Sequence, residues 1–155
     1  MNAGCLFTDR KVILAGYQPN KSTKKISGLG GKAKTEEYLH HTALRETLEE
    51  LLGQREYPME LLYDLEHSLN PQNKYLHGDY YILVFSFTDL EEFLQITKKY
   101  ISISEYYKTF PVTVSDLLFN RIYTEKNEVQ QLCLLPVAQN IIIDKYFQKD
   151  INLFL

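Results

Sequence analysis

The sequence predicts a fold that mixes strands and helices, either an α+β or an α/β sandwich. Leu44, Leu48 and Leu51 recur at the helical period within residues 35–52. Residues 79–88, DYYILVFSFT, are aromatic and β-branched with almost no charge, which is typical of a buried strand. Segments of the two kinds follow each other without regular alternation, and this mixture indicates such a sandwich.

The first part of the chain predicts a hairpin, a loop and then a glycine-rich segment. Residues 3–18 contain two apolar runs that flank the polar triplet Thr8-Asp9-Arg10, as in a β-hairpin. Residues 19–27 are predicted to be a loop. Residues 28–32, GLGGK, place three glycines in four positions, which indicates a backbone that closely approaches another group.

A helix is predicted over residues 35–52. Thr35 is suited to cap its N-terminus, and Glu36 and Glu37 suit the positive end of the helix dipole. Gly53 supplies a natural stop, because glycine readily adopts the left-handed conformation that ends helices.

The rest of the chain predicts a further series of short elements. Residues 57–67 are interpreted as a strand and 89–100 as a short helix or loop. Residues 106–114 are interpreted as a strand broken by Pro111, and 115–122 as a short helix capped by Ser115. Residues 128–147 predict a closing helix in their later half. The length of 155 residues fits one domain, 1–155.

Composition excludes several classes of protein. The net charge of −3 disfavours a dedicated duplex-binding domain. The start of the chain lacks the pattern of a secretory signal, and no apolar stretch reaches the eighteen or so residues of a membrane helix, so we expect a cytoplasmic protein without a membrane partner. Cys5 and Cys133 are expected to be small buried hydrophobes, and the four histidines form no ligand pattern.

Three carboxylates within the predicted helix form the most informative pattern. Glu46, Glu49 and Glu50 stand at positions i, i+3 and i+4, so they lie within about 100° of one another, on the side opposite the leucines. Like charges at this spacing destabilise a helix by a few tenths of a kcal/mol. A hard divalent cation would remove that penalty. An ordinary acidic solvent face is the alternative interpretation of the triplet alone.

The surrounding residues resemble the Nudix signature, G-x5-E-x7-R-E-U-x-E-E-x-G-U, in which U is a bulky aliphatic residue. Six specific positions match at the required spacing: Gly31, Glu37, Arg45, Glu46, Glu49 and Glu50. Thr47 replaces an aliphatic residue, Leu52 stands where the signature has glycine, and Gly53 follows. We expect the helix to run one residue further and to use Gly53 as its cap.

This resemblance implies an α/β/α sandwich around a mixed sheet, and an enzyme that hydrolyses a nucleoside diphosphate linked to another moiety. It implies that Glu46, Glu49 and Glu50 hold Mg²⁺ or Mn²⁺ together with the carbonyl of Gly30 or Gly31. It also implies that Arg45 pairs with Glu37 to hold the loop against the helix, and that Glu46 is the base or the link to it.

Candidates outside the signature are less well defined. Glu105 is a candidate for a further acid, ahead of Glu91, Glu92 and Asp116. Lys32 is a candidate to reach a phosphate, with an exposed surface role as the alternative. Tyr17 and Tyr81 are candidates to stack on a base, although core packing is the alternative for most aromatic residues here, Tyr80 and Phe85 included.

The substrate remains open between several classes. A free nucleotide or a dinucleotide fits a compact chain best. Lys21, Lys24 and Lys25 could instead track an RNA backbone, as in an mRNA-decapping enzyme, or belong to a solvated loop. A diphosphoinositol polyphosphate phosphohydrolase is a further alternative. A catalytically inactive binding module is disfavoured because the signature carboxylates are all present. Homodimers are common in the family, so dimerisation also stays open.

Overall fold

The computed structural model describes residues 1–19, 26–122, 129–138 and 143–154. Within these ranges the strands are β1 (Asn2–Phe7), β2 (Val12–Tyr17), β3 (Ile26–Ser27), β4 (Leu29–Lys32), β5 (Asn73–His77), β6 (Tyr80–Phe85) and β7 (Gln131–Pro136). The helices are α1 (Leu39–Leu52), α2 (Met59–Ser68), α3 (Phe87–Tyr100), α4 (Val114–Phe119) and α5 (Lys145–Phe154). In these same ranges, no helix combines the length and the apolar character that crossing a bilayer requires.

The strands form two sheets. The larger has the order β4-β1-β6-β5; β1 and β6 run parallel, whereas the β1–β4 and β5–β6 pairs are antiparallel. The smaller sheet, β3-β2-β7, is antiparallel. The expected mixed sheet is therefore present.

The larger sheet lies between two hydrophobic clusters. One face contributes Ala3, Cys5 and Phe7 to a cluster shared with the leucines of α1 and α2. The other face contributes Leu6, Ile82 and Val84 to a cluster that includes Phe147 and Ile151 of α5. Because successive residues of a strand point to opposite faces, β1 serves both clusters. Helices on both faces of a mixed sheet confirm the expected α/β class.

The predicted hairpin at residues 3–18 is wrong in its pairing. Both edges of β1 are occupied, by β4 and β6, so β2 joins the smaller sheet instead. The isolated bridge between Thr8 and Ile13 links the two strands. The turn between them is closed by Thr8 Oγ1, which donates to the carbonyl of Val12 at 2.7 Å.

The helix predicted over 35–52 begins later, at Leu39, and the proposed Thr35 cap is wrong. Tyr38 occupies the cap position in an extended conformation without a side-chain cap bond. Glu36 has a φ of 61°, which a right-handed helix does not allow. Glu37 therefore lies in a loop, where its carboxylate also accepts the N–H of Lys34 at 3.1 Å.

Two predicted strands are also wrong. Residues 57–67 mostly form α2, which buries Leu61, Leu62 and Leu65 on one face. Residues 106–114 form no strand; Tyr107 makes isolated bridges to Ser104 and Arg121.

The remaining elements follow the expectations more closely. Residues 80–85 of the predicted buried strand form β6, and residues 89–100 lie within a full helix, α3. Helix α4 is capped by Thr113 and Asp116 in a capping box, so the proposed Ser115 cap is wrong. A closing helix is present as α5, but it begins at Lys145 and so overlaps only the end of the predicted range 128–147; strand β7, within that range, was not expected. Cys5 is buried as expected, whereas Cys133 is half-buried.

Candidate active site on helix α1

Helix α1 carries the signature carboxylates on a firmly packed support. Leu44, Leu48 and Leu51 are fully buried, as the spacing predicts. The helix ends at Gly53, whose φ of 71° and ψ of 18° are left-handed and whose N–H binds the carbonyls of Leu48 and Glu49. This confirms that the departure from the signature lengthens the helix by one residue and is absorbed by its cap.

The glycine-rich strand β4 lies directly against two of these carboxylates. The backbone N–H of Gly30 donates to Glu50 Oε1 at 3.0 Å. A Cβ at Gly31 would lie 2.4 Å from the carboxyl carbon of Glu46, closer than real Cβ contacts allow. The close approach predicted for GLGGK is therefore an approach to Glu46 and Glu50, and any Cβ at position 31 would force the Glu46 carboxylate to move.

Arg45 holds the other side of the carboxylate group. Its Nε and Nη2 donate to the two oxygens of Glu37 at 2.7 and 2.9 Å, and Nη2 also donates to the carbonyl of Lys32 at 2.9 Å. Its Nη1 donates to Glu46 Oε1 at 2.8 Å and to Glu49 Oε1 at 3.3 Å. The expected pair with Glu37 is confirmed, and the same guanidinium also holds the carboxylates.

These contacts shift the ionisation of both partners. Burial opposes the ionisation of Glu37, but the hydrogen bonds from Arg45, the Lys34 N–H and Thr42 outweigh it and lower the pKa of Glu37 to about 2. The hydrogen bond to Glu37 raises the pKa of Arg45, against the opposing effect of burial. The pair is therefore fully ionised at neutral pH.

The donor set fits Mg²⁺ or Mn²⁺ in its chemistry. Glu46, Glu49 and Glu50 offer oxygen ligands, and position 31 has no Cβ that would obstruct the carboxylate of Glu46. In the described ranges, no trio of His, Cys, Asp or Glu side chains is arranged to hold a metal ion as it stands. Arg45 Nη1 contacts two of the three carboxylates, so a metal would compete with this guanidinium for Glu46 and Glu49.

A cavity of about 430 Å³ opens beside Glu50. Its walls come from β1, the glycine-rich segment at β4, the β5–β6 turn and α5, and they include Tyr80 and Phe147. Gln18 Oε1 and Ser27 Oγ belong to buried side chains in this wall and have no hydrogen-bond partner among the residues that the structure describes. Such buried polar atoms are expected to bind something, because leaving them unpaired is unfavourable.

Two acidic side chains complete this cavity wall. Asp144, just before α5, accepts the N–H groups of Tyr146 and Phe147 at 3.0 and 3.1 Å. Burial and then the charge of Asp144 raise the pKa of Asp150 to about 7, against the opposing charge of Lys149. Asp150 can therefore carry a proton near neutral pH and either donate or accept a hydrogen bond.

The predicted substrate-binding residues do not line this cavity. Lys32 is exposed and its carbonyl binds Arg45, while Tyr17 is half-buried at the end of β2. Tyr81 packs against the first cluster, on the face of β6 opposite to Tyr80, which lines the cavity. Lys21, Lys24 and Lys25 fall outside the described residues.

The proposed further acid, Glu105, is exposed at the far end of α1. A Cβ at Gly53 would lie 3.4 Å from the Cβ of Glu105, so this residue stands by the helix cap. Glu105 does not line the cavity beside Glu50. Its role stays a prediction, and Asp144 and Asp150 are acids that the sequence analysis missed.

Arg121 is a third residue that sequence reasoning missed. It donates to the carbonyls of Glu50 and Leu51, both at 2.7 Å, and to that of Val129 at 2.9 Å. Its guanidinium also lies 4.7 Å from the ring centre of Tyr106. Arg121 thus satisfies carbonyls at the end of the helix that carries Glu50.

Among known proteins, this chain is similar to several solved structures. No family model matches the chain, and no curated protein matches it. A bifunctional NMN adenylyltransferase/ADP-ribose pyrophosphatase from Francisella tularensis, complexed with AMP and manganese, is similar at a TM-score of 0.53 and 11% identity. The match covers 98% of this chain but only 39% of that protein.

Two other solved structures are similar over most of their length. One is a MutT Nudix hydrolase from Burkholderia pseudomallei, with a TM-score of 0.47 and 11% identity; the match covers 99% of this chain and 96% of that one. The other is a Nudix hydrolase from Nitrosomonas europaea, with a TM-score of 0.45 and 11% identity; the match covers 97% of this chain and 84% of that one. At such identities a likeness concerns the fold and does not specify a substrate. With its mixed sheet and the signature helix packed against the glycine-rich strand β4, this chain has the Nudix fold.

Proposed function

We propose that this protein is a divalent-metal-dependent hydrolase that cleaves a phosphoanhydride bond in a nucleoside-diphosphate-linked substrate. One observation carries the proposal: Glu50, held by the Gly30 N–H, lies in the wall of the 430 Å³ cavity, next to Glu46 and Glu49 on the same helix. Carboxylates at the edge of a ligand-sized cavity can act on a phosphate whose organic moiety fills that cavity.

The side chains have separate roles in this proposal. Glu46, Glu49 and Glu50 would hold Mg²⁺ or Mn²⁺ with the carbonyl of Gly30 or Gly31 in β4. The bound metal would neutralise phosphate charge and lower the pKa of water. Arg45 and Glu37 would fix the orientation of the carboxylates from outside, as groups around a metal site commonly do.

The reaction is a hydrolysis in which the oxygen of water forms a bond to phosphorus. The bridging P–O bond breaks, and its electron pair stays on the leaving phosphate. A proton of water passes to a carboxylate, for which Glu46 is the candidate, and then to solvent. Positioning of the two phosphates would supply most of the rate enhancement.

The cavity is suited to a nucleobase or a similar polar ring. Gln18 Oε1 can accept a hydrogen bond from a ring N–H, and Ser27 Oγ can donate or accept one. Asp150, with a pKa of about 7, can bind ring atoms in either protonation state. Tyr80 and Phe147 add aromatic surface to the same wall.

The test is hydrolysis of a substrate panel with Mg²⁺ and Mn²⁺ supplied separately. The panel contains nucleoside triphosphates, oxidised nucleotides, ADP-ribose, dinucleoside polyphosphates, diphosphoinositol phosphates and capped RNA. We expect metal-dependent turnover of a nucleotide class that is reduced at least about 100-fold in Glu49→Gln and Glu50→Gln. Absence of turnover with folded protein, or activity that both variants retain, would contradict the proposal.

A further inference from the structure

A second cavity, of about 560 Å³, lies on the other side of the signature carboxylates. Its walls come from the loop before α1, the first turns of α1, residues 55–57 and the start of α2. The wall includes Tyr38, Tyr57 and Tyr63 together with His41 and Arg55. The substrate cavity beside Glu50 shares none of these residues.

The centre of this wall is an aromatic group on a fixed support. The His41 ring packs edge-on against the rings of Tyr38 and Tyr63, at centroid distances of 5.8 and 5.6 Å. His41 is buried and its Nε2 lies 2.8 Å from Glu66 Oε2 of α2. Tyr38 and Tyr63 are 76% and 52% exposed, so they present ring surface that nothing in the described chain covers.

This aromatic group is continuous with the carboxylates. Arg45 and Glu37 line the same cavity, and Arg45 Nη1 donates to both Glu46 and Glu49. From the loop that follows α1, Arg55 Nη1 reaches to 3.8 Å from Glu49 Oε2. The carboxylates therefore lie between two cavities, with Glu50 in the wall of one and Arg45 in the wall of the other.

Each cavity is large enough for a nucleoside-sized group. We propose that the second cavity binds the second ring-bearing moiety of the substrate, by stacking on Tyr38 and Tyr63. A polyphosphate would then cross the carboxylates with one ring in each cavity. This inference rests on the proposed function and narrows its substrate class to two ring systems joined by a polyphosphate, such as a dinucleoside polyphosphate, in preference to a free nucleoside triphosphate.

Charged side chains in the wall of the second cavity support the binding of a phosphorylated ligand at the end nearest the carboxylates. Arg55, close to Glu49, and Lys34, in the loop before α1, both line the second cavity, so its wall holds two cations besides Arg45. Glu36 and Glu56 lie in the same wall. This mixture does not favour a purely anionic ligand such as a diphosphoinositol phosphate, whereas a ring with a hydroxylated sugar suits aromatic and carboxylate partners together.

The test compares diadenosine tetraphosphate with ATP. The kcat/KM of each would be measured in the wild type and in Tyr38→Ala, Tyr63→Ala and Tyr38→Phe. Loss of a stacking ring should lower the selectivity for diadenosine tetraphosphate over ATP about tenfold, mainly through KM. Tyr38→Phe keeps the ring and should keep the selectivity. Phe119→Ala, at a site 80% exposed on α4, is the matched control.

Binding measurements distinguish a failure of this inference from a failure of the proposed function. The affinity of both nucleotides would be measured by calorimetry in Glu49→Gln, with and without Tyr38→Ala. If Tyr38→Ala lowers the affinity for diadenosine tetraphosphate about tenfold but not that for ATP, the second subsite is supported, even if no turnover is found. In that case only the hydrolase proposal fails. If ATP is hydrolysed but selectivity and relative affinity change less than twofold in both alanine variants, the subsite is overturned and the hydrolase proposal stands.

Discussion

Arg45 binds Glu37 through two parallel hydrogen bonds, from Nε to Oε2 at 2.7 Å and from Nη2 to Oε1 at 2.9 Å. Only 7% of Arg45 is exposed, and its third nitrogen, Nη1, contacts Glu46 and Glu49. One guanidinium therefore joins the loop before α1 to the carboxylates on the helix. Because the fork of arginine fixes geometry as well as charge, the loop and the carboxylates are positioned together.

Replacing Glu37 by glutamine should lower the free energy of unfolding by about 1–3 kcal/mol at pH 7, since a partly buried guanidinium loses its ionic partner. The folded-state pKa of Glu37 is about 2, below its ordinary value of 4.5. The stabilisation is thus fully present above pH 4.5 and is lost as the pH falls through 2. Urea denaturation at several pH values would measure it. Glu36→Gln is the control, and an equal effect there would contradict this role.

Gly31→Ala should destabilise the protein by about 1 kcal/mol, because the new Cβ would displace the Glu46 carboxylate from its hydrogen bond with Arg45. The cause can be isolated by a double-mutant cycle. In a Glu46→Ala background, the same glycine substitution should cost less than about 0.5 kcal/mol, because the overlapping group is gone. Denaturant unfolding of the four proteins gives the coupling. Equal costs in both backgrounds would mean that the glycine is needed for backbone conformation alone.

The site could be predicted from sequence where its determinants are local. The spacing of Glu46, Glu49 and Glu50 fixes their common helix face, and the position of Gly53 fixes the end of that helix. The resemblance to the signature added the pairing of Arg45 with Glu37. These features depend on residues within one segment of 23 positions, Gly31 to Gly53.

The parts that were missed depend on distant packing. Residues 57–67 contain Leu61, Leu62 and Leu65, which suit a short strand as well as a helix, and packing of α2 against α1 and α3 decides between them. The strands of the expected hairpin separate because β4 and β6 already pair with β1. Asp144 and Asp150 reach the cavity only because α5 packs across the second face of the larger sheet.

Arg121 should be among the most sensitive residues outside the signature. Arg121→Gln would leave the carbonyls of Glu50, Leu51 and Val129 without their donor, and we expect a loss of about 2–4 kcal/mol in the free energy of unfolding. Arg121→Lys should recover only part of it, since an ammonium lacks the planar fork. The control is Arg55→Gln, whose side chain is 71% exposed and should contribute less than about 1 kcal/mol.

The cavity carboxyl Asp150 should make stability fall as the pH rises. Its folded pKa of about 7 exceeds the ordinary 3.8, so between these values the folded state keeps a proton that the unfolded state releases. The favourable contribution is fully present below pH 3.8 and is lost as the pH rises through 7. Asp150→Asn removes this dependence, so its Tm relative to the wild type should increase from pH 4 to pH 8, measured with chelator present.

A substitution at Asp144 tests the cause of the raised pKa of Asp150. Its charge is the second cause of the raised pKa of Asp150, and its carboxylate accepts the N–H groups of Tyr146 and Phe147. Asp144→Asn should preserve these hydrogen bonds, because asparagine is an equally good capping residue, while removing the charge. The pKa of Asp150 should then be lower, so the decrease in stability with rising pH should be complete at a lower pH than in the wild type. A Tm profile of Asp144→Asn that matches the wild type would show that the charge of Asp144 does not act on Asp150.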